Sequence, residues 1–183
     1  MATLRPTAFV LAALAAVATL APATGRAQVV YTATLSGAAE IPPNASAGTG
    51  TVAVGFDPAT STMAVSTSFS GLSSGTTVAH IHCCTATPGA SNVGVATPTP
   101  SFPGFPAGVT AGSYSQSFDM AQPGSYNAAF LNSFPTLADA RAALVAAMGE
   151  GRAYFNLHTA GFPGGELRGN LFEQPIFADG FGS

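Results

Sequence analysis

Short runs in which apolar and polar side chains alternate constrain this chain more than any other feature. In Thr51–Phe56 the residues Val52, Val54 and Phe56 share one face, and in Met63–Phe69 so do Met63, Val65, Thr67 and Phe69. Residues i and i+2 of a strand point to the same side, so each run offers one face for burial. Between the runs, Asp57-Pro58-Ala59-Thr60 has Asp at the first and Pro at the second turn position, which makes 51–69 a hairpin. Further strands are expected at Val29–Leu35, Thr77–His82, Ser113–Asp119, Gly151–His158 and Glu166–Phe172. Short strands separated by turn signals predict an all-β fold, an antiparallel Greek-key-like β-sandwich or barrel. Neither a solenoid repeat nor a heptad pattern is present.

One segment breaks the period of two. Near residues 136–148 the positions Leu137, Ala140, Leu144, Val145 and Met148 form a stripe at helical spacing. Thr136 and Asp139 resemble a capping box with Asp in place of Glu, and Gly149 suits the stop. This short helix is expected to cover one end of the strands. Two stretches read as loops: 37–50, broken by Pro42-Pro43, and Thr85–Gly112, which holds five prolines and five glycines. A loop as long as the second is uncommon in a compact domain unless it works, so it is the natural contact surface.

Residues 1–27 read as a signal peptide. Arg5 supplies the positive start, Phe9–Leu20 the apolar run, and small residues lead to a cut after Ala27, with Ala23 as the alternative. The run is shorter than the roughly 20 residues of a membrane span, so no membrane span is expected. A single domain then covers 28–172, with a C-terminal tail at 173–183, and the protein is expected to be secreted or periplasmic. Lysine is absent, and the chain's formal net charge of −3 becomes −5 once Arg5 and Arg26 leave with the leader. Three scattered arginines give no footprint for nucleic acid or an anionic membrane.

All three histidines fall in two strand-like segments, Ala79-His80-Ile81-His82 and Asn156-Leu157-His158-Thr159. On a strand His80 and His82 project together, and His158 from a second strand would complete a three-imidazole set suited to copper or zinc. The competing reading is structural: imidazoles satisfied by carbonyls or by Glu166, and Arg168 held in a buried pair with Glu40 or Asp119. The adjacent Cys83 and Cys84 leave three readings open. They are a strained vicinal disulfide, thiolate ligands (Cys83 foremost) beside the histidines, or free or intermolecular thiols.

The same residues carry a resemblance. Tyr31-Thr32-Ala33-Thr34-Leu35-Ser36-Gly37, Glu40-Ile41-Pro42-Pro43, the His80-x-His82 strand, the Gly89–Val95 loop and the run Ala153–Gly169 together resemble the CHRD (chordin-type) domain, as found in secreted bacterial proteins. The likeness spans about residues 30–171. It implies an extracellular, non-enzymatic β-domain that works by binding, its partner an extracellular protein or matrix component of unknown identity. Cys83-Cys84 departs from the family's Gly-rich continuation. A weaker similarity links His80, His82 and His158 to the copper ligands of copper–zinc superoxide dismutase, and Arg168 to the arginine beside that metal. No histidine remains to bridge or to complete a zinc set, so dismutase activity is not expected.

Other chemistry finds no support. Gly-x-Ser-x-Gly and a phosphate-cradling Gly-rich loop are absent, and Glu166 and Glu173 are too undirected for a glycosidase pair. The chain is therefore read as a binding module rather than an enzyme. Its leading role is extracellular interaction, and the alternative is copper or zinc binding through three histidines.

Overall fold

The computed structural model describes residues 28–174. The expected signal peptide and most of the expected tail lie outside the described residues. Seven strands run β1 (Val29–Ser36), β2 (Thr49–Asp57), β3 (Thr62–Ser70), β4 (Thr76–His82), β5 (Gly112–Asp119), β6 (Glu150–Thr159) and β7 (Leu167–Glu173). They form one antiparallel sheet in the order β4-β6-β7-β1-β2-β3-β5. The sheet curls into a half-barrel, the barrel-like form of the expected all-β fold. From β3 the chain crosses to β4 at the far edge and returns to β5 beside β3.

The alternation reads out directly as faces. Leu35, Val52, Val54, Met63, Val65, Phe69, Ile81, Phe155 and Leu157 are buried on the concave side. Phe102, from the long loop, stacks there near Phe155 at 6.1 Å and Phe118 at 5.4 Å. Each buried Leu, Ile, Val or Phe contributes about 1.5–3 kcal/mol over its exposed state, so this face supplies most of the drive to fold. The loop between β4 and β5 thus closes the half-barrel while remaining irregular, as its prolines and glycines require.

Two α-helices follow β5: α1 (Ala128–Leu131), a single turn that the sequence did not signal, and α2 (Leu137–Gly149). Thr136 caps α2 by accepting from the Asp139 N–H at 3.1 Å and donating its hydroxyl to Asp139 at 2.7 Å. A cap of this kind is worth about 1 kcal/mol. Ala140, Leu144, Ala147 and Met148 bury one side of α2, which packs on β6 and β7.

The convex side divides in two. Over β1, β2, β3 and β5 it carries Thr34, Thr51, Ser66, Ser68, Ser113 and Ser115, all exposed. Over β4, β6 and β7 the same side of the sheet is roofed by the 37–46, 84–95 and 160–165 loops. Arg168, Asn156, Tyr154, His80 and His158 are consequently buried on what would otherwise be a solvent face.

Candidate metal centre

Strand parity builds the site. His80 pairs with Asn156 and His82 with Tyr154 across β4 and β6, and Asn156 pairs with Arg168 on β7. Directly paired residues share a face, so the three histidines, Tyr154, Asn156 and Arg168 converge under the roof. On the opposite, concave face, Gly169 lets β7 approach β1 closely: a Cβ there would lie 2.5 Å from the Thr34 carbonyl and 2.8 Å from Leu35.

The candidate ligand nitrogens of His80, His82 and His158 all lie within 4.8 Å of one another. The Nε2 atoms of His80 and His158 are 3.1 Å apart. Two imidazoles bound tetrahedrally at about 2.0–2.1 Å sit about 3.3 Å apart, so this pair already has the spacing of co-ligands. The widest separation, up to 4.8 Å, must close by about 1.5 Å for all three to reach one ion in that geometry.

The outer partners prepare the nitrogens. Nδ1 of His82 donates to the Val93 carbonyl at 2.7 Å, and Nδ1 of His158 to the Pro163 carbonyl at 2.9 Å. A carbonyl only accepts, so both neutral rings keep Nε2 as a lone pair aimed inward. His82 Nε2 and His80 Nδ1 are buried without a hydrogen-bond partner. A buried polar atom left unpaired costs about 1–3 kcal/mol, and a ligand at the cluster centre would relieve that cost at His82.

Burial, helped by the neighbouring rings, pushes His80 down to about 3, with the Pro100 carbonyl acting the other way. Burial likewise brings His82 to about 4, and it lowers His158. The rings are therefore neutral at pH 7, the state in which imidazole ligates. Behind them, the Tyr154 ring stacks on His82 at 4.6 Å and 4°, and the Arg168 guanidinium lies 3.5 Å from the Tyr154 centroid.

The remaining expected residues fall out differently. Cys83 and Cys84 are joined in a vicinal disulfide. Cys83 packs with the core because, one residue beyond His82, it points through the sheet to the concave side. It is not in the histidine cluster. Arg168 forms no pair with Glu40 or Asp119: its two terminal nitrogens donate to Asn92 Oδ1 at 2.8 Å and the Ser91 carbonyl at 3.0 Å. Glu40 is engaged instead by Asn156 Nδ2 at 2.6 Å, and Asp119 ends β5 at the opposite edge of the sheet. Glu166 does not touch the imidazoles. It accepts from Ser46 Oγ, the Ser73 N–H and hydroxyl, and Thr159 Oγ1, at 2.5–3.0 Å. These donors hold its carboxyl below the usual range against the opposing effect of burial. Burial raises Glu40, with Asn156 and Arg168 opposing.

Tyr154, Asn156 and Asn92 complete the site without having been singled out by the sequence, and Glu40 joins it as the partner of Asn156 rather than of Arg168. Tyr154 and Asn156 were findable, since they precede His158 at steps of two along β6.

The layer of motifs seated here has a recognised counterpart: the CHRD domain family matches residues 31–171. The chain belongs to the CHRD family. No curated protein and no solved structure gives a significant match to this CHRD domain, so the likeness of its histidines to those of copper–zinc superoxide dismutase rests on sequence pattern alone. Among the described residues no helix is long and apolar enough to cross a membrane.

Proposed function

We propose that this CHRD domain is an extracellular, non-enzymatic binding module whose three histidines hold one copper or zinc ion. The convergence of His80, His82 and His158 carries the reading: three neutral imidazoles, two buried and that of His82 half-buried, whose candidate ligand nitrogens lie within 4.8 Å of one another, one inward-facing nitrogen without a partner. Imidazole donors suit both ions, and a three-histidine set leaves one coordination position open. The carbonyls of Val93 and Pro163 would orient two of the ligands, as outer-shell acceptors do at established sites. The leader-like segment at 1–27 supports an extracellular setting, where both ions are encountered outside the cytosol.

The test is titration of chelator-treated protein with Cu(I), Cu(II) and Zn(II), following uptake and melting temperature. Binding of one ion per chain, with a melting shift lost in His82→Ala and His158→Ala, is the expected result. No uptake of any of the three ions would overturn the proposal and leave the histidines as a structural layer. In that case the module would act through its loops on a protein or matrix partner.

A further inference from the structure

The two edges of the sheet are treated in opposite ways. Along β4, the loop residues cover the backbone. Thr76 exchanges bonds with Gly108 and Val109, Ala79 is bonded by Ser101 and Phe102, Ile81 by Ala96 and Thr97, and the Cys83 N–H by Gly94. Along β5 no described segment does this. Among the described residues, the backbone of 112–118 makes no hydrogen bond beyond its pairing with β3. That pairing is unbroken through eight residues, from Phe69↔Gly112 to Thr62↔Asp119.

Soluble proteins normally blunt such an edge with lysine, proline, a bulge or a short strand. Here Gly112–Phe118 has no charge and no proline, its register has no bulge, and its length exceeds that of a typical strand of about 5–6 residues. A straight, uncharged row of backbone donors and acceptors is the template for strand addition.

The sequence of the edge selects its occupant. Ser113-Tyr114-Ser115-Gln116-Ser117 is nearly symmetric about Ser115. Laid antiparallel against itself, it places Ser113 opposite Ser117, Tyr114 opposite Gln116, and Ser115 on the two-fold axis. The serines of both copies then share the convex face, where all three are exposed, and Tyr114 and Phe118 stay on the core side, where both are buried. No like charges meet, and each copy presents the same surface, as a two-fold interface demands.

We propose that β5 is the dimerisation edge of this domain: two copies join β5 to β5 about Ser115 into one continuous fourteen-stranded sheet. The experiment is sedimentation velocity of the purified protein over a concentration series. Wild type is expected to dimerise. Ser115→Lys puts two like charges directly opposite across the axis and should leave monomer with an unchanged melting temperature, since Ser115 is exposed and outside the core. Ser66→Lys, on the same face but one strand inward, should still dimerise. An equimolar mixture of Ser115→Lys and Ser115→Glu should restore association as a one-to-one heterodimer. Wild type that stays monomeric throughout, or a dimer indifferent to Ser115→Lys, would overturn the proposal.

Discussion

His80 and His158 face each other Nε2 to Nε2 at 3.1 Å, from strands whose histidines are 78 residues apart in sequence. With Nδ1 of His158 committed as donor to Pro163, His158 Nε2 can only accept. A hydrogen bond across this contact therefore has His80 Nε2–H as donor, which leaves His80 Nδ1 without a proton to give the Pro100 carbonyl and without a partner of its own. The contact is a hydrogen bond in the metal-free protein and, under the proposed function, would become a pair of co-ligands.

Removing either partner separates these roles. In His158→Ala the metal-free protein should lose about 1–3 kcal/mol, the cost of an unsatisfied buried group, measured by urea unfolding. The melting shift on adding copper or zinc should vanish in the same variant. A variant that lost stability yet still took up one ion would show that the cluster is not the site.

Acid should destabilise the metal-free protein over a defined window. His80 and His82 titrate at about 3 and about 4 in the fold, below the ordinary histidine value of 6.5. The unfolded chain thus binds protons that the folded one refuses, so their contribution is whole above about pH 6.5 and declines as pH falls toward 4 and 3. The slope should approach about 1.4 kcal/mol per pH unit for each histidine. His80→Gln should flatten it in denaturant unfolding between pH 6.5 and 4.

Glu166 should matter for stability and not for metal. As an amide it could accept at one oxygen only, while its present donors approach both oxygens. Glu166→Gln should cost about 1.5–3 kcal/mol, the range for a hydrogen bond to a charged group, with stoichiometric metal uptake retained. Because its folded carboxyl is held below its unfolded value, its contribution is present above the ordinary carboxylate range and lost as pH falls below it. The variant should therefore lose acid sensitivity at the low end of the profile.

Arg168→Lys should not be conservative. A lysine keeps the charge but loses the fork that reaches both Asn92 and Ser91 and the planar stack on Tyr154. A loss of about 2 kcal/mol is expected from the charged hydrogen bonds alone, together with faster amide exchange in residues 91–93. Unchanged exchange there would show that the 84–95 roof is held by other contacts.

Replacing both cysteines by alanine should leave metal uptake intact. Cys83 lies on the core side of β4, away from the imidazoles, and the bridge closes no loop long enough to gain much chain entropy. Loss of uptake in the double variant would place a sulfur in the site after all.

The period of two along 51–56, 63–69 and 151–158 determined the strands, their faces and the all-β class, because burial of one face follows from the pleat alone. It also aligned His80 with His82, and Tyr154, Asn156 and His158 with one another. Thr136, Asp139 and Gly149 marked α2 because capping is local chemistry. What the sequence could not carry was which side of the sheet would be roofed. The convex face is largely polar, and pattern alone assigns it to solvent. Over β4, β6 and β7 the 37–46, 84–95 and 160–165 loops fold across it, so His80, Asn156 and Arg168 become buried polar groups with specific partners. Pairing over such separations depends on where loops close in three dimensions, which no local period encodes. For that reason Arg168 found Asn92 rather than a carboxylate, Glu40 found Asn156, and only the tertiary structure decided that three histidines would share one centre.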